Sequence, residues 1–212
     1  MLKLSKEFRL NTLFGLFIGC LIGMNVLGGK IIPFGPFSVS VAFMIVPLSF
    51  LITDIVTEVY GKKLAREWIF SGLITLFVFL LFILLFVALP PAARFTQNKE
   101  YTAIFGTSAR IVAASITAFL LSEFSDVWTF LFIKKQTNKR FLWLRTNISN
   151  SISLVVDTFA FMYLAFYMLT PKFTALFVLQ MIIPYLIFKI IWGWLSSPLV
   201  YAGAKWLRVG ER

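Results

Sequence analysis

From Trp68 to Leu89 the chain runs without a single charged side chain. A helix needs about 20 predominantly apolar residues to cross the hydrocarbon core of a bilayer, and nothing else in the sequence constrains the fold so tightly. Five further stretches share this character: Leu10–Gly29, Phe37–Tyr60, Ile104–Ile133, Asn147–Leu169 and Thr174–Val200. Together they predict an all-α, polytopic membrane protein with six transmembrane helices. The stretch Ile104–Ile133 is long for one crossing and must tilt or project. The links between stretches are short, so residues 1–212 read as a single helical membrane domain.

Composition removes the other fold classes. The chain is 59% apolar and 14% charged, where a soluble domain has about 45–50% and about 25%, and its mean hydropathy is +0.89. A cytosolic globular enzyme and a secreted disulfide scaffold are both excluded. The lone Cys20 has no internal partner, and histidine is absent. Imidazole acid–base catalysis, histidine metal sites and haem ligation therefore have no ligand to use. No catalytic residue, metal site or cofactor is expected, and no G-x-x-x-x-G-K-[ST] loop is present for binding ATP.

The net charge of +11 has a topological use rather than a nucleic-acid one, because basic residues gather between the apolar runs. In a six-span arrangement, 14 lie on the side of the two termini, among them Lys62, Lys63, Arg66, Lys134, Lys135, Lys205 and Arg208. The opposite side has 4: Lys30, Arg94, Lys99 and Lys172. Both termini are expected in the cytoplasm. The basic, then apolar, start resembles a secretion signal, yet no small-residue cleavage site follows, so it reads as an uncleaved first span.

Charged residues inside the spans are the informative ones, since a lone lipid-facing carboxylate at mid-span costs at least about 2.5–3.5 kcal/mol. Asp54 and Glu58 lie four apart on one face of the second span, and Glu123 and Asp126 three apart in the fourth. Asp157 is near the middle of the fifth, Lys189 is in the sixth and Arg110 in the fourth, with Lys30 at the end of the first. Five acids thus face at most three bases, and the surplus is expected to be buried and either protonated, hydrogen-bonded to amides and hydroxyls, or waiting for a donor-rich ligand. Phe50-Leu51-Ile52-Thr53-Asp54 is echoed by Phe119-Leu120-Leu121-Ser122-Glu123. That parallel repeat would place a ligand site at its interface.

Neutral polar residues add to the candidates: Asn25, Asn150 and Gln180 lie within spans, beside hydroxyls such as Ser149, Ser151 and Ser153. Pro47 and Pro184 are expected to interrupt the second and sixth spans at mid-membrane, each freeing a backbone carbonyl. Gly15, Gly19 and Gly23 form a close-packing seam that can join another helix of the same chain or a partner such as a second copy.

Asn25 with Lys30, then Pro47, then Thr53-Asp54-Ile55-Val56-Thr57-Glu58-Val59-Tyr60-Gly61 and Arg66, resembles the signature of the queuosine precursor transporter family, once called vitamin uptake transporters. Arg110, Ala114-Ser115, Asp126, Arg145, Ser149, Asp157 and Lys189 agree with it, and the resemblance runs from Asn25 to about Tyr201. It implies a multi-pass importer of the bacterial inner membrane, carrying 7-cyano- or 7-aminomethyl-7-deazaguanine for queuosine salvage into tRNA. Such a substrate presents two adjacent donors that one carboxylate accepts together, in strong charge-assisted bonds. Glu123 or Asp157 is the expected reader of that edge. Lys189, Arg110 or Asn25 would serve the neighbouring carbonyl, and aromatic faces would hold the ring. Asp126, Asn150 and Gln180 complete the candidate set, while Asp54, Glu58, Pro47 and Pro184 are expected to gate or couple by alternating access. Two other readings share the residues: a substrate-capture subunit of a multi-component importer, and an intramembrane hydrolase with paired carboxylates.

Overall fold

A computed structural model describes residues 5–137 and 142–208. Six of its helices are long and apolar enough to cross a membrane. The first, α1, runs Lys6–Leu27 and is opened by Ser5, whose hydroxyl accepts the Phe8 N–H at 3.1 Å. An antiparallel hairpin follows, β1 (Ile31–Phe34) and β2 (Phe37–Ser40), with Ile31 opposite Ser40 and Phe34 opposite Phe37. Its two-residue turn needs a left-handed first position, which Gly35 supplies at φ 59°. A short 3-10 helix, Val41–Met44, leads into α2 (Val46–Tyr60). The remaining helices are α3 (Lys62–Ala88), α4 (Asn98–Gln136), α5 (Leu142–Phe166), α6 (Ala175–Leu195) and α7 (Ser197–Arg208).

Two boundaries, and with them the place of one proline, differ from those the apolar runs predict. Phe37 to Ile45 is apolar but does not open the second helix: Pro33, Gly35 and Pro36 force a turn, and the alternation of Phe37-Ser38-Val39-Ser40 fits a strand. Pro47 consequently lies in the first turn of α2, where its missing N–H has no helical partner to lose. It starts a helix instead of breaking one. The sixth span ends at Leu195 rather than Val200, because Pro198 has no N–H to continue the helix and its ring crowds the carbonyl four residues back, so the chain turns at Ser196 and restarts as the short amphipathic α7. Pro184 does lie inside α6, as expected.

Strand backbone at membrane depth is tolerable only where protein covers it or a cavity borders it. Val39 is buried in a core with Ile111, Met162, Met181, Ile182 and Tyr185, contributed by α4, α5 and α6. Ser40 ties this region together. Its hydroxyl donates to Gly28 O at 2.6 Å and accepts the Ala42 N–H, while its carbonyl accepts Tyr185 Oη at 3.4 Å. A second core, at the end of the bundle where the two termini meet, joins Leu13, Phe17, Ile52, Val56, Trp68 and Leu207. There Gly203 lets α7 lie against α2, since a Cβ at that position would collide with Ile55 Cδ1. Among the described residues, nothing beyond α1's own backbone approaches within 4 Å of a Cβ built at Gly15 or Gly19, so their part of the glycine seam is open.

Candidate functional site

Between the six spans lies a cavity of about 470 Å³, inside the range of about 300–1,000 Å³ usual for small-ligand sites. Every span contributes to its wall: Asn25 from α1, Ser49 from α2, Leu76 from α3, Ser115 from α4, Asp157 from α5 and Lys189 from α6. The wall is mostly apolar, with Phe17, Phe50, Phe119, Phe161 and Tyr185 supplying ring surfaces. Its charges are one carboxylate and one ammonium.

These two are paired. Lys189 Nζ donates to Asp157 Oδ2 at 2.9 Å and to Thr158 Oγ1 at 3.0 Å, joining α6 to α5. An ammonium has three protons, so one remains after these two bonds. The Lys189 side chain is 10% exposed, and that of Asp157 35%. The carboxylate therefore remains open to the cavity that it borders.

Most hydroxyls of the wall turn their protons onto backbone carbonyls. Ser49 donates to Val46 O at 2.8 Å, Ser122 to Ser153 O at 3.0 Å, Ser153 to Asn150 O at 3.1 Å and Thr158 to Leu154 O at 2.8 Å. What is left to a ligand is oxygen lone pairs, so the wall is richer in acceptors than in donors. Asn25 follows the same logic. It is 1% exposed, and its Nδ2 donates to Leu21 O at 2.8 Å, which leaves Oδ1 buried with no hydrogen-bond partner among the described residues. One N–H of the amide is used in this bond, so a donor role toward a substrate carbonyl would fall to the second.

The other sequence candidates lie elsewhere, apart from Asn150, which borders the cavity. Glu123 is on the outer surface of α4 beside Leu120, Phe124 and Val127, all exposed. Asp126 is half-buried, and its Oδ1 has no hydrogen-bond partner among the described residues. Gln180 is exposed on α6. Arg110 caps the end of α5, donating from Nε to Leu164 O at 2.8 Å and from Nη2 to Tyr167 O. Asp54 and Glu58 are exposed on α2, and Glu58 meets Arg208 of α7 at 3.9 Å. Pro47 borders a smaller apolar hollow with Phe43 and Phe188. The side chain of Arg145 is outside the described residues. A surplus of buried acids is thus not what the fold presents, since three of the five lie on the outer surface of the bundle.

Comparison with known proteins now adds a family. The one described as "Putative vitamin uptake transporter" matches residues 40–203, from the end of β2 to α7. The chain belongs to this transporter family. It is 34% identical over 167 residues to a protein of Bacillus subtilis (strain 168) named "Probable queuosine precursor transporter", covering 77% of this chain and 70% of that relative. No solved structure matches. A transporter of this family is not an enzyme, and with six membrane-crossing helices it is a multi-pass protein of a bacterial inner (plasma) membrane. The family match takes in Ser115, Asp157, Thr158 and Lys189, whereas Asn25 and the rest of α1 lie before it. Ser49, Ser115 and Thr158 were not singled out as site residues by sequence reasoning. Small hydroxyls inside otherwise apolar spans were the available signal.

Proposed function

We propose that this transporter imports 7-deazaguanine bases, the 7-cyano and 7-aminomethyl queuosine precursors, through the cavity between its six spans. The observation that carries the proposal is the Asp157–Lys189 pair, set in an acceptor-rich and aromatic wall. A guanine-like edge offers an exocyclic amine, a ring N–H and a carbonyl in a row. Asp157 Oδ1 accepts from the amine and ring N–H, and the third proton of Lys189 meets the carbonyl. The ion pair need not break, because the ammonium keeps one proton and Oδ1 keeps both its lone pairs. Thr158 holds the ammonium in place, and the phenyl rings cover the flat faces of the base.

Passage follows by alternating access. Termini on the cytoplasmic side put the hairpin at the outer mouth and α7 at the inner one. At that inner end Arg208 donates to Glu58 O at 3.1 Å, and Arg9 donates to Trp206 O. These bonds hold α7 against α2 and α1, so releasing them opens the cytoplasmic exit. Asp54 and Glu58 belong to this gate and not to the substrate.

The test is thermal stabilisation of the purified protein by guanine, adenine and the two deazaguanines, followed by uptake into liposomes that contain no ATPase. Stabilisation confined to the 7-substituted guanines, together with uptake, is the expected result. Uptake that requires an added ATPase would favour a capture subunit instead. The hydrolase reading lacks a footing in the cavity, where Asp157 is the one carboxylate among the described lining residues and two sharing a proton are needed.

A further inference from the structure

Asn25 is the most deeply buried polar group of the wall and the least satisfied. Its amide orientation is fixed by its own helix: Nδ2 must face Leu21 O, because the opposite flip would set two oxygens against each other. Oδ1 is consequently a buried acceptor with no donor among the described residues, on a side chain that borders the cavity. Leaving such a group unpaired is costly, and a buried acceptor on a residue that lines a ligand-sized cavity points to a ligand donor.

Its place relative to the ion pair follows from Ser40. Gly28, one turn after Asn25, accepts from the Ser40 hydroxyl, and Tyr185, one turn before Lys189, reaches the Ser40 carbonyl. Helices α1 and α6 run in opposite directions, so Asn25 and Lys189 lie at like depth, each one turn below that knot. α1 packs chiefly on α2, α3 and α4, whereas α5 packs on α4 and α6. The two polar groups therefore line the cavity from different helices, whose main packing partners differ.

We infer that Asn25 is a specificity-determining residue, whose Oδ1 accepts the five-membered-ring N–H of a flat bicyclic base while Asp157 and Lys189 hold its other edge. The inference rests on the reading of the cavity given above and adds a second point of recognition. It makes the site selective for free bases: a nucleoside carries its sugar on that ring nitrogen, so it has no proton to give and no room beside α1. A ligand with donors at both ends fits, and one with a donor edge alone leaves Oδ1 unpaired.

The probe is a pair of isosteric compounds, a 7-deazaguanine and the furo-pyrimidine analogue in which oxygen replaces the five-membered-ring N–H. Their affinities for the purified full chain are compared by thermal stabilisation and isothermal titration. The wild type is expected to bind the N–H compound about tenfold or more tightly. In Asn25→Leu the N–H compound weakens to the level of the oxygen analogue, so the discrimination disappears. Equal binding of the two compounds by the wild type overturns the inference, and this comparison needs no variant to fold. Discrimination that survives in Asn25→Leu overturns it as well, while leaving the deazaguanine reading intact. Failure of both compounds to bind the wild type removes that reading and the inference together.

Discussion

Neutralising Asp157 separates what the ion pair does for the fold from what it does for a substrate. Lys189 is 10% exposed and its partner carboxylate stands 2.9 Å away. Two unit charges at that distance attract by roughly 6 kcal/mol at an effective dielectric of about 20, before desolvation is subtracted. Removing one partner of a buried pair costs about 3–5 kcal/mol, mostly for the charge left alone. Asp157 is a third exposed, and Thr158 still accepts from the ammonium, so Asp157→Asn should fall at or below the low end, about 2–3 kcal/mol. For a chain of this length that is a drop in Tm of roughly 4–12 °C. The double variant Asp157→Asn/Lys189→Met buries no lone charge and should recover most of the loss. Binding should behave differently. A hydrogen bond to a charged group contributes about 1.5–3 kcal/mol, so both variants should bind a deazaguanine about ten- to a hundredfold more weakly. Thermal unfolding in detergent and titration on the same samples supply both numbers. Restored binding in the restored double variant would refute the reasoning, since it would make the pair a purely structural clasp.

Three further outcomes follow from placement. Glu123→Gln should leave substrate affinity unchanged in titration, because Glu123 faces away from the cavity; a loss of tenfold or more would mean that the substrate sits elsewhere. Gly203→Ala should destabilise by about 1–3 kcal/mol through overpacking against Ile55, whereas Gly19→Leu meets open space and should not lower the Tm. If the open seam joins two copies, Gly19→Leu should instead reduce cross-linked dimer in liposomes.

The six spans were readable because each hydrophobic run is about as long as a bilayer is thick, a constraint that acts on the sequence directly. The hairpin was not, because Phe37 to Ile45 is as apolar as the helix that follows, and hydropathy does not distinguish a strand buried in protein from a helix buried in lipid. Pro47 signalled a break correctly but not on which side of it the helix lies. The spacing of Asp54 with Glu58 told that they share a face; it did not tell that the face points outward. That depends on which helices become neighbours. The same holds for Asp157 and Lys189: both were singled out, yet only the packing of α5 on α6 brings them together. The unpartnered oxygen of Asn25 was beyond sequence reasoning altogether, since it depends on which way one amide is turned.

Ser40 gives the two walls of the cavity a common fastening. A swing of α6 about Pro184 carries Tyr185 with it, pulls on the strand end and, through Gly28, tugs the top of α1. In the transport cycle proposed above, the grip on a cargo and the shape of the entrance would therefore be mechanically one variable, and a mutation that cuts the Ser40 tie should let the vestibule breathe while the cargo is still held.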